Sequence, residues 1–248
     1  MSNDEQLRAT QAKFLSMVTH ELRSPINAIN GYLDLALAGV GGELNEQQRE
    51  FVRRARSSSE ELFALIEDLL LIARADAGQL RLNRGIVKLQ DIVVDAMEEV
   101  EVTAADNHIA ITSDVSKHLP PLYADEVRLQ QLMRNLLSNA LRFTPAGGQV
   151  LISASVEPDN RRLSGSSDEQ RQVVHLRVRD SGCGIAPEFH ERIFERFFQA
   201  PDTGSTGGQG LGLTSARLIV ELHDGYLTLE SEAGKGSTFS CFLPCLSA

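Results

Sequence analysis

Apolar residues in the first third of the chain recur at spacings of three and four. Leu15, Val18, Leu22, Ile26, Ile29, Leu33 and Ala36 make one such stripe, which at about 100° per residue stays on a single face of an amphipathic helix. The pattern predicts a helix from about residue 6 to 38, closed by Gly39-Val40-Gly41-Gly42, where continued helix is costly. A second stripe carries Leu44, Phe51, Ala55, Ser58, Leu62, Leu65, Leu69 and Ile72, and from Phe51 its steps alternate between 4 and 3, as in a heptad seam. The next seam position is the charged Asp76, so the stripe ends there. Two helices with one long stripe each cannot bury both against one another. The pattern therefore predicts an α-helical hairpin that pairs with a second copy in a four-helix bundle, a homodimer.

Near Gly78 the periodicity breaks, and Gln79 to Lys88 reads as a linker. The expected domains are 1–82 and 88–246. For the second, the pattern predicts helix 90–105, strand 108–113, helix 125–143, strands 149–156 and 172–179, a glycine loop, a mobile segment, helix 211–223, and strands 226–231 and 237–243. That order describes an α/β sandwich with helices on one face of a largely antiparallel sheet. The polar stretch Glu157 to Gln170, with Pro158 and Gly165, reads as an exposed hairpin loop.

Composition narrows the function classes. The 248 residues are 42% hydrophobic and 23% charged, an ordinary globular balance, and the net charge of −10 speaks against a nucleic-acid backbone as partner. Nucleotides stay open, because a divalent cation can meet their charge locally. The sequence has neither a run of about 18 apolar residues nor a signal-peptide pattern, so no membrane segment is expected. Cys183, Cys241 and Cys245 are too few and too irregular for a disulfide framework or zinc site. The expected location is the cytoplasm, either alone or as the cytosolic core of a larger or membrane-associated sensor.

Several clusters carry candidate chemistry. His20 points about 160° away from both Val18 and Leu22 on the wheel, so its imidazole faces water rather than the stripe. Pro25 cannot give an N–H to the Glu21 carbonyl, which loosens the turn bearing the histidine. A reachable imidazole beside a carboxylate is a candidate nucleophile, although a solvated surface histidine is the blander alternative. On helix 125–143, Arg128, Gln131, Asn135, Asn139 and Arg142 gather within about 80°. Asparagine is a poor helix former, while its amide oxygen can ligate Mg²⁺ and Arg142 can meet a phosphate. Asp180-Ser181-Gly182-Cys183-Gly184 ends a strand-like run, where a carboxylate can accept from an exocyclic amine and glycines allow a tight turn. Ile193 to Gln199 reads as an aromatic anchor for a mobile lid over Ala200 to Gly208. Gly207 to Leu213 then opens a helix whose free N–H groups can receive phosphates. Each cluster alone also describes a wet helix face or an ordinary turn.

Taken together, the motifs resemble those of two-component sensor histidine kinases over nearly the whole chain. Phe14 to Leu37 resembles the histidine box, and Asn135 and Asn139 in Arg-Asn-Leu-Leu-Ser-Asn-Ala-Leu-Arg-Phe-Thr-Pro resemble the asparagine box. Asp180, Gly182 and Gly184 resemble the first glycine box and Phe194 to Phe198 the aromatic box. Gly208, Gly210, Leu211 and Gly212 resemble the second glycine box. The resemblance implies a dimeric histidine phosphotransfer hairpin followed by a Bergerat (GHKL) ATP-binding fold. By it, His20 is the phosphoacceptor and Glu21 the base that orients it and takes its proton. Asn139 and Asn135 hold Mg²⁺, Asp180 reads the adenine amine, and Arg142 and Arg196 touch phosphates. ATP is the phosphoryl donor, and an aspartate of a response-regulator receiver is the final acceptor. In ATP-hydrolysing relatives a glutamate stands where this chain has Asn135, and an amide cannot act as a base. An ATP-hydrolysing clamp and a non-catalytic nucleotide-binding scaffold are the alternatives on the same fold. Ser24 departs from the family's usual Thr or Asn, Gln209 from its commoner Thr or Ser, and the lid lacks Lys and Arg.

Overall fold

The computed structural model describes residues 21–116, 118–159, 172–201 and 209–246. His20, Gly208 and most of the expected lid and hairpin loop lie outside the described residues. The chain divides into two compact units, residues 1–81 and 82–248.

In the first unit, residues 21–37 are helical (α1), and Pro25 is carried without a break. The helix closes where Ala38 N–H donates to Asp34 O at 2.9 Å and Val40 N–H to Leu35 O at 3.0 Å. The next helix, α2 (Glu46–Asp76), begins with a capping box in which Asn45 Oδ1 accepts from Gln48 N–H and Gln48 Oε1 accepts from Asn45 N–H. Arg49 reaches back and donates to the Leu37 carbonyl at 3.2 Å, satisfying an acceptor that the end of α1 leaves open. Arg23–Glu67 and Arg56–Asp34 ion pairs join the two helices. Of the α2 seam, Ile72 is only 3% exposed, whereas Phe51, Leu62 and Leu69 are 61%, 50% and 39% exposed. A single hairpin leaves most of its apolar seam in water.

The second unit runs β1 (Gly85–Val87), α3 (Leu89–Asp106), β2 (Ala110–Val115), β3 (Leu122–Ala124), α4 (Glu126–Phe143), β4 (Gln149–Pro158) and β5 (Gln172–Asp180). Short 3-10 turns at Pro187–Phe189 and Arg192–Phe194 follow, then α5 (Gly212–Leu222), β6 (Tyr226–Glu232) and β7 (Gly236–Pro244). Five strands form one sheet in the order β2-β4-β5-β7-β6, antiparallel except for the β2–β4 pair. Strand alternation sends Val150, Ile152, Val174, Leu176, Val178, Phe239, Cys241 and Leu243 into the core. There they meet Leu129, Leu132, Met133, Leu136 and Leu137 of α4 and Ile219 and Val220 of α5, all fully buried. Each such side chain contributes roughly 1.5–3 kcal/mol by leaving water. The result is the expected α/β sandwich.

Three local differences from the periodicity have physical causes. β1 and β3 pair antiparallel, with Ile86 opposite Tyr123, where the pattern reads linker at 79–88 and assigns no element to 122–124; three-residue strands are too short to alternate visibly. β2 starts at Ala110 rather than 108, because His108 takes φ +57° and Ile109 N–H donates to Ala104 O at 2.9 Å to finish α3. Gln131 does not join a wet face: it is buried, and its Oε1 accepts from Arg128 at 2.8 Å.

Candidate functional site

The packing of α4 decides where its polar residues go. With the leucine face buried and the helix capped by Asp125, whose carboxylate accepts from Arg128 N–H, the opposite side presents Asn135, Ser138, Asn139 and Arg142 to a cavity in the second unit. The amide of Asn135 donates to the Gly212 carbonyl at 3.1 Å, so this helix is tied to the first residue of α5. The N-terminal end of α5 has no side-chain cap, and its N-cap residue Leu211 is buried. N–H groups left open at such an end attract anions.

Asp180 enters the same cavity from the end of β5. It is only 5% exposed, and Oδ1 accepts from Gly182 N–H at 2.8 Å and from Ser237 N–H at 3.2 Å. Burial pushes its carboxyl above the ordinary carboxylate value, and these N–H bonds pull the other way. Beyond it, Gly184 takes φ +67°, and a Cβ there would stand 2.0 Å from the Glu232 carbonyl oxygen. At Gly210, with φ +69°, a Cβ would meet the Phe197 backbone at 2.6 Å. Only glycine lets these two turns close.

The aromatic segment forms a fixed wall. Phe197 N–H donates to Gly210 O at 2.8 Å, Thr214 Oγ1 donates to Phe194 O at 3.0 Å, and the Arg192 guanidinium sits 4.3 Å from the Phe198 ring centre. Phe198, Ile185, Ile193 and Leu213 supply the apolar lining, which suits a flat heteroaromatic ring beside a buried hydrogen-bond acceptor.

The cavity thus brings together Asn135, Asn139, Arg142, Asp180, Gly184, Gly210 and Gly212. Gly182 instead packs against the Phe143 carbonyl, Leu211 is buried as the α5 N-cap, and Arg196 is exposed outside the lining. Glu21 is exposed on α1 in the other unit, and His20 and Gly208 lie outside the described residues. Sequence reasoning did not single out Ser138, Cys183, Ile185, Leu213 or Ser237 as lining. The signal available for Ile185 and Ser237 was that each directly follows a glycine, Gly184 and Gly236.

The donor set bears on the metal the resemblance implies. Among the described residues no group of three or more His, Cys, Asp or Glu could hold a metal ion. Asn135 and Asn139 offer neutral amide oxygens one helical turn apart, and such a pair suits a hard cation whose other ligands are phosphate oxygens and water.

Two family profiles match the chain. The one described as histidine kinase-, DNA gyrase B- and HSP90-like ATPase covers residues 124–247, and the His Kinase A (phospho-acceptor) domain covers residues 10–78. The chain belongs to the two-component sensor histidine kinases. This histidine kinase core is 34% identical over 245 residues to the histidine protein kinase DivJ of Caulobacter vibrioides, covering 98% of this chain and 39% of DivJ. It is 36% identical over 242 residues to the sensor histidine kinase RppB of Synechocystis, covering 96% of this chain and 50% of RppB. The chain therefore spans half or less of the length of these curated relatives. Among solved structures, full-length ShkA in complex with AMPPNP aligns with TM-score 0.68 at 32% identity, over 95% of this chain and 46% of ShkA. The second unit of this histidine kinase core carries the family's ATP-binding fold. No helix among the described residues is long and apolar enough to cross a membrane.

Proposed function

We propose that this kinase core transfers the γ-phosphoryl group of ATP to His20 and then passes it to an aspartate of a response-regulator receiver. One observation carries the reading: α4, the end of β5 and the start of α5 converge on a single cavity that holds two amides, a cation, a buried carboxylate and an open helix end. Asp180 accepts the exocyclic amine of adenine, and the apolar lining holds the ring. Arg142 and the α5 N–H groups hold phosphate oxygens, with Arg196 and Gly208 adding to this hold at the aromatic segment and lid. Mg²⁺, bound with the nucleotide, would be held by the amide oxygens of Asn139 and Asn135 and would neutralise phosphate charge there.

In the transfer, a ring nitrogen of His20 attacks the γ-phosphorus in line, the N–P bond forms, and the bond to the bridging oxygen breaks to release ADP. Glu21 orients the ring and takes its proton. A neutral imidazole, with an ordinary pKa of about 6.5, needs no large tuning to be a nucleophile near neutral pH. Asn135 has no basic atom to activate water, which favours transfer over hydrolysis. We assign residues 1–82 to the phosphotransfer hairpin and 88–246 to the catalytic domain. The exposed seam of Phe51, Leu62 and Leu69 supports a homodimer through a four-helix bundle. Free Cys183, Cys241 and Cys245 and the need for ATP suit the cytosol.

The test is incubation of the chain with Mg²⁺ and γ-labelled ATP. The expected product carries an acid-labile, base-stable label that is absent in His20→Gln. Label that persists in this variant overturns the assignment, and many-turnover phosphate release without labelling would point to the ATPase reading.

A further inference from the structure

α4 and α5 lie against each other, and two polar rungs join them. At the cavity end, Asn135 Nδ2 donates to Gly212 O at 3.1 Å. At the other end, Asp125 N–H donates to Nε2 of His223 at 2.9 Å, while His223 Nδ1 lies 2.8 Å from Ile219 O. Position 125 thus meets 223 and position 135 meets 212, so the helices run antiparallel, with the rungs about 15 Å apart at 1.5 Å per residue. An imidazole that accepts at Nε2 and donates at Nδ1 is a neutral ring in one fixed tautomer. Both Asp125 and His223 are buried.

The outer rung also holds the start of the second unit. Asn83 N–H donates to Asp125 Oδ2 at 2.8 Å. Arg84 donates from Nη2 to Leu222 O at 2.6 Å and from Nη1 to Asp224 Oδ2 at 2.9 Å. Residues 83 and 84 are therefore bound at once to the N-cap of α4 and the C-terminal end of α5. None of these groups lines the cavity.

We propose that Arg84, Asp125 and His223 are positioning residues for phosphoryl transfer, forming a clamp that passes the state of the segment before β1 to the two helices bearing the nucleotide residues. When the clamp is closed, the outer rung fixes how α4 lies along α5, and the inner rung keeps Asn135 and Gly212 in register. When Arg84 lets go, the outer ends can shift and the phosphate end of the site loses alignment, while the adenine end, built on β5, keeps its contacts. The clamp should therefore govern the rate of transfer more than the affinity for nucleotide. The activity arm of this inference rests on the kinase reading; the structural arm does not.

The experiment uses the full chain and the variants Arg84→Ala, Asp125→Asn, His223→Gln and His223→Ala. Asp125→Asn can keep an oxygen on Arg128 N–H while turning a donor toward Asn83 N–H. His223→Gln is the conservative rescue, since it can offer one acceptor and one donor. Labelling of His20 at saturating Mg-ATP, the Kd of a fluorescent ATP analogue, Tm, and deuterium exchange of residues 82–85 and 211–216 without nucleotide are measured. Arg84→Ala and Asp125→Asn should slow labelling about tenfold, as the loss of a charge-assisted hydrogen bond predicts, with Kd within about twofold. Both should speed exchange at 211–216 as well as at 82–85, and His223→Gln should retain more activity than His223→Ala. Labelling at the wild-type rate in Arg84→Ala, or a loss that merely follows Kd or Tm, overturns the proposal. If the wild-type chain takes up no label, the kinase reading fails and exchange alone decides. Unchanged exchange at 211–216 in Arg84→Ala then refutes the clamp, and faster exchange there upholds it.

Discussion

Replacing Asp180 by Asn separates what this residue does for the fold from what it does for the nucleotide. In the fold, both described N–H bonds, from Gly182 and Ser237, end on Oδ1. An amide oxygen in that place keeps both. The substitution also removes a buried charge that burial disfavours. The folded carboxyl titrates above its ordinary value of 3.8, so between these two values the folded state binds more protons than the unfolded chain. Stability then falls as pH rises through the window, and the ionised group costs stability above it. Asp180→Asn should consequently melt no lower than wild type at neutral pH, and any gain should shrink as the buffer is made acidic. Toward the nucleotide the effect has the opposite sign. An amine that donated to a carboxylate would face an –NH₂ donor, losing a charge-assisted hydrogen bond and leaving a buried donor unpaired. That costs about 3 kcal/mol or more, or roughly 150-fold in Kd. Titration calorimetry of the full chain with Mg-ATP, alongside melting at several pH values, measures both signs. Binding within about threefold of wild type would refute the adenine assignment. A Tm drop of several degrees would refute the view that the fold needs only an acceptor at this position.

Other sites give further expectations. Gly184→Ala, whose Cβ would press on the Glu232 backbone at φ +67°, should cost about 3 kcal/mol and lower Tm by roughly 10 °C. Gly234→Ala, at φ +82° with nothing within 4 Å, should cost only about 1 kcal/mol; equal losses would show that the close approach does not matter. Leu62→Glu in the exposed seam should give a monomer by sedimentation where wild type is a dimer, and a dimeric variant would remove this seam from the interface. Burial holds His223 below its ordinary value of 6.5, with Arg84 adding to the lowering and Asp125 and Asp224 opposing it. Its contribution to stability is complete above about 6.5 and is lost as pH falls from there through the lower folded value. His223→Gln should flatten that acid limb in urea denaturation, and an unchanged limb would place the titration elsewhere.

The fold was legible wherever burial repeats at a fixed period. The leucine face of α4 and the alternation of Val174, Leu176 and Val178 needed no structure to be read. The site was legible where chemistry forces an unusual residue, as with two asparagines in mid-helix or a glycine that no other residue could replace. What stayed hidden depends on pairing across the chain. The His223 bond to Asp125 spans 98 residues, and nothing local distinguishes that histidine from a surface one. Gln131 shared a wheel sector with Asn135 yet is buried on Arg128, because the wheel records direction and not what packs there. Ile86 and Tyr123 pair across two strands of three residues each, too short for a period.

If Asn135 and Asn139 hold the metal as proposed, the sparse charge around them sets the order in which ligands arrive. Asp180 is the one carboxylate among the described cavity-lining residues, and the proposed function gives it to the adenine amine. Two neutral amide oxygens alone hold a divalent cation weakly against water. On the proposed reading, the metal comes in already bound to the triphosphate, as part of one incoming ligand. Free cation would neither occupy the site in advance nor steady the fold, and a chelator would halt labelling without melting the protein.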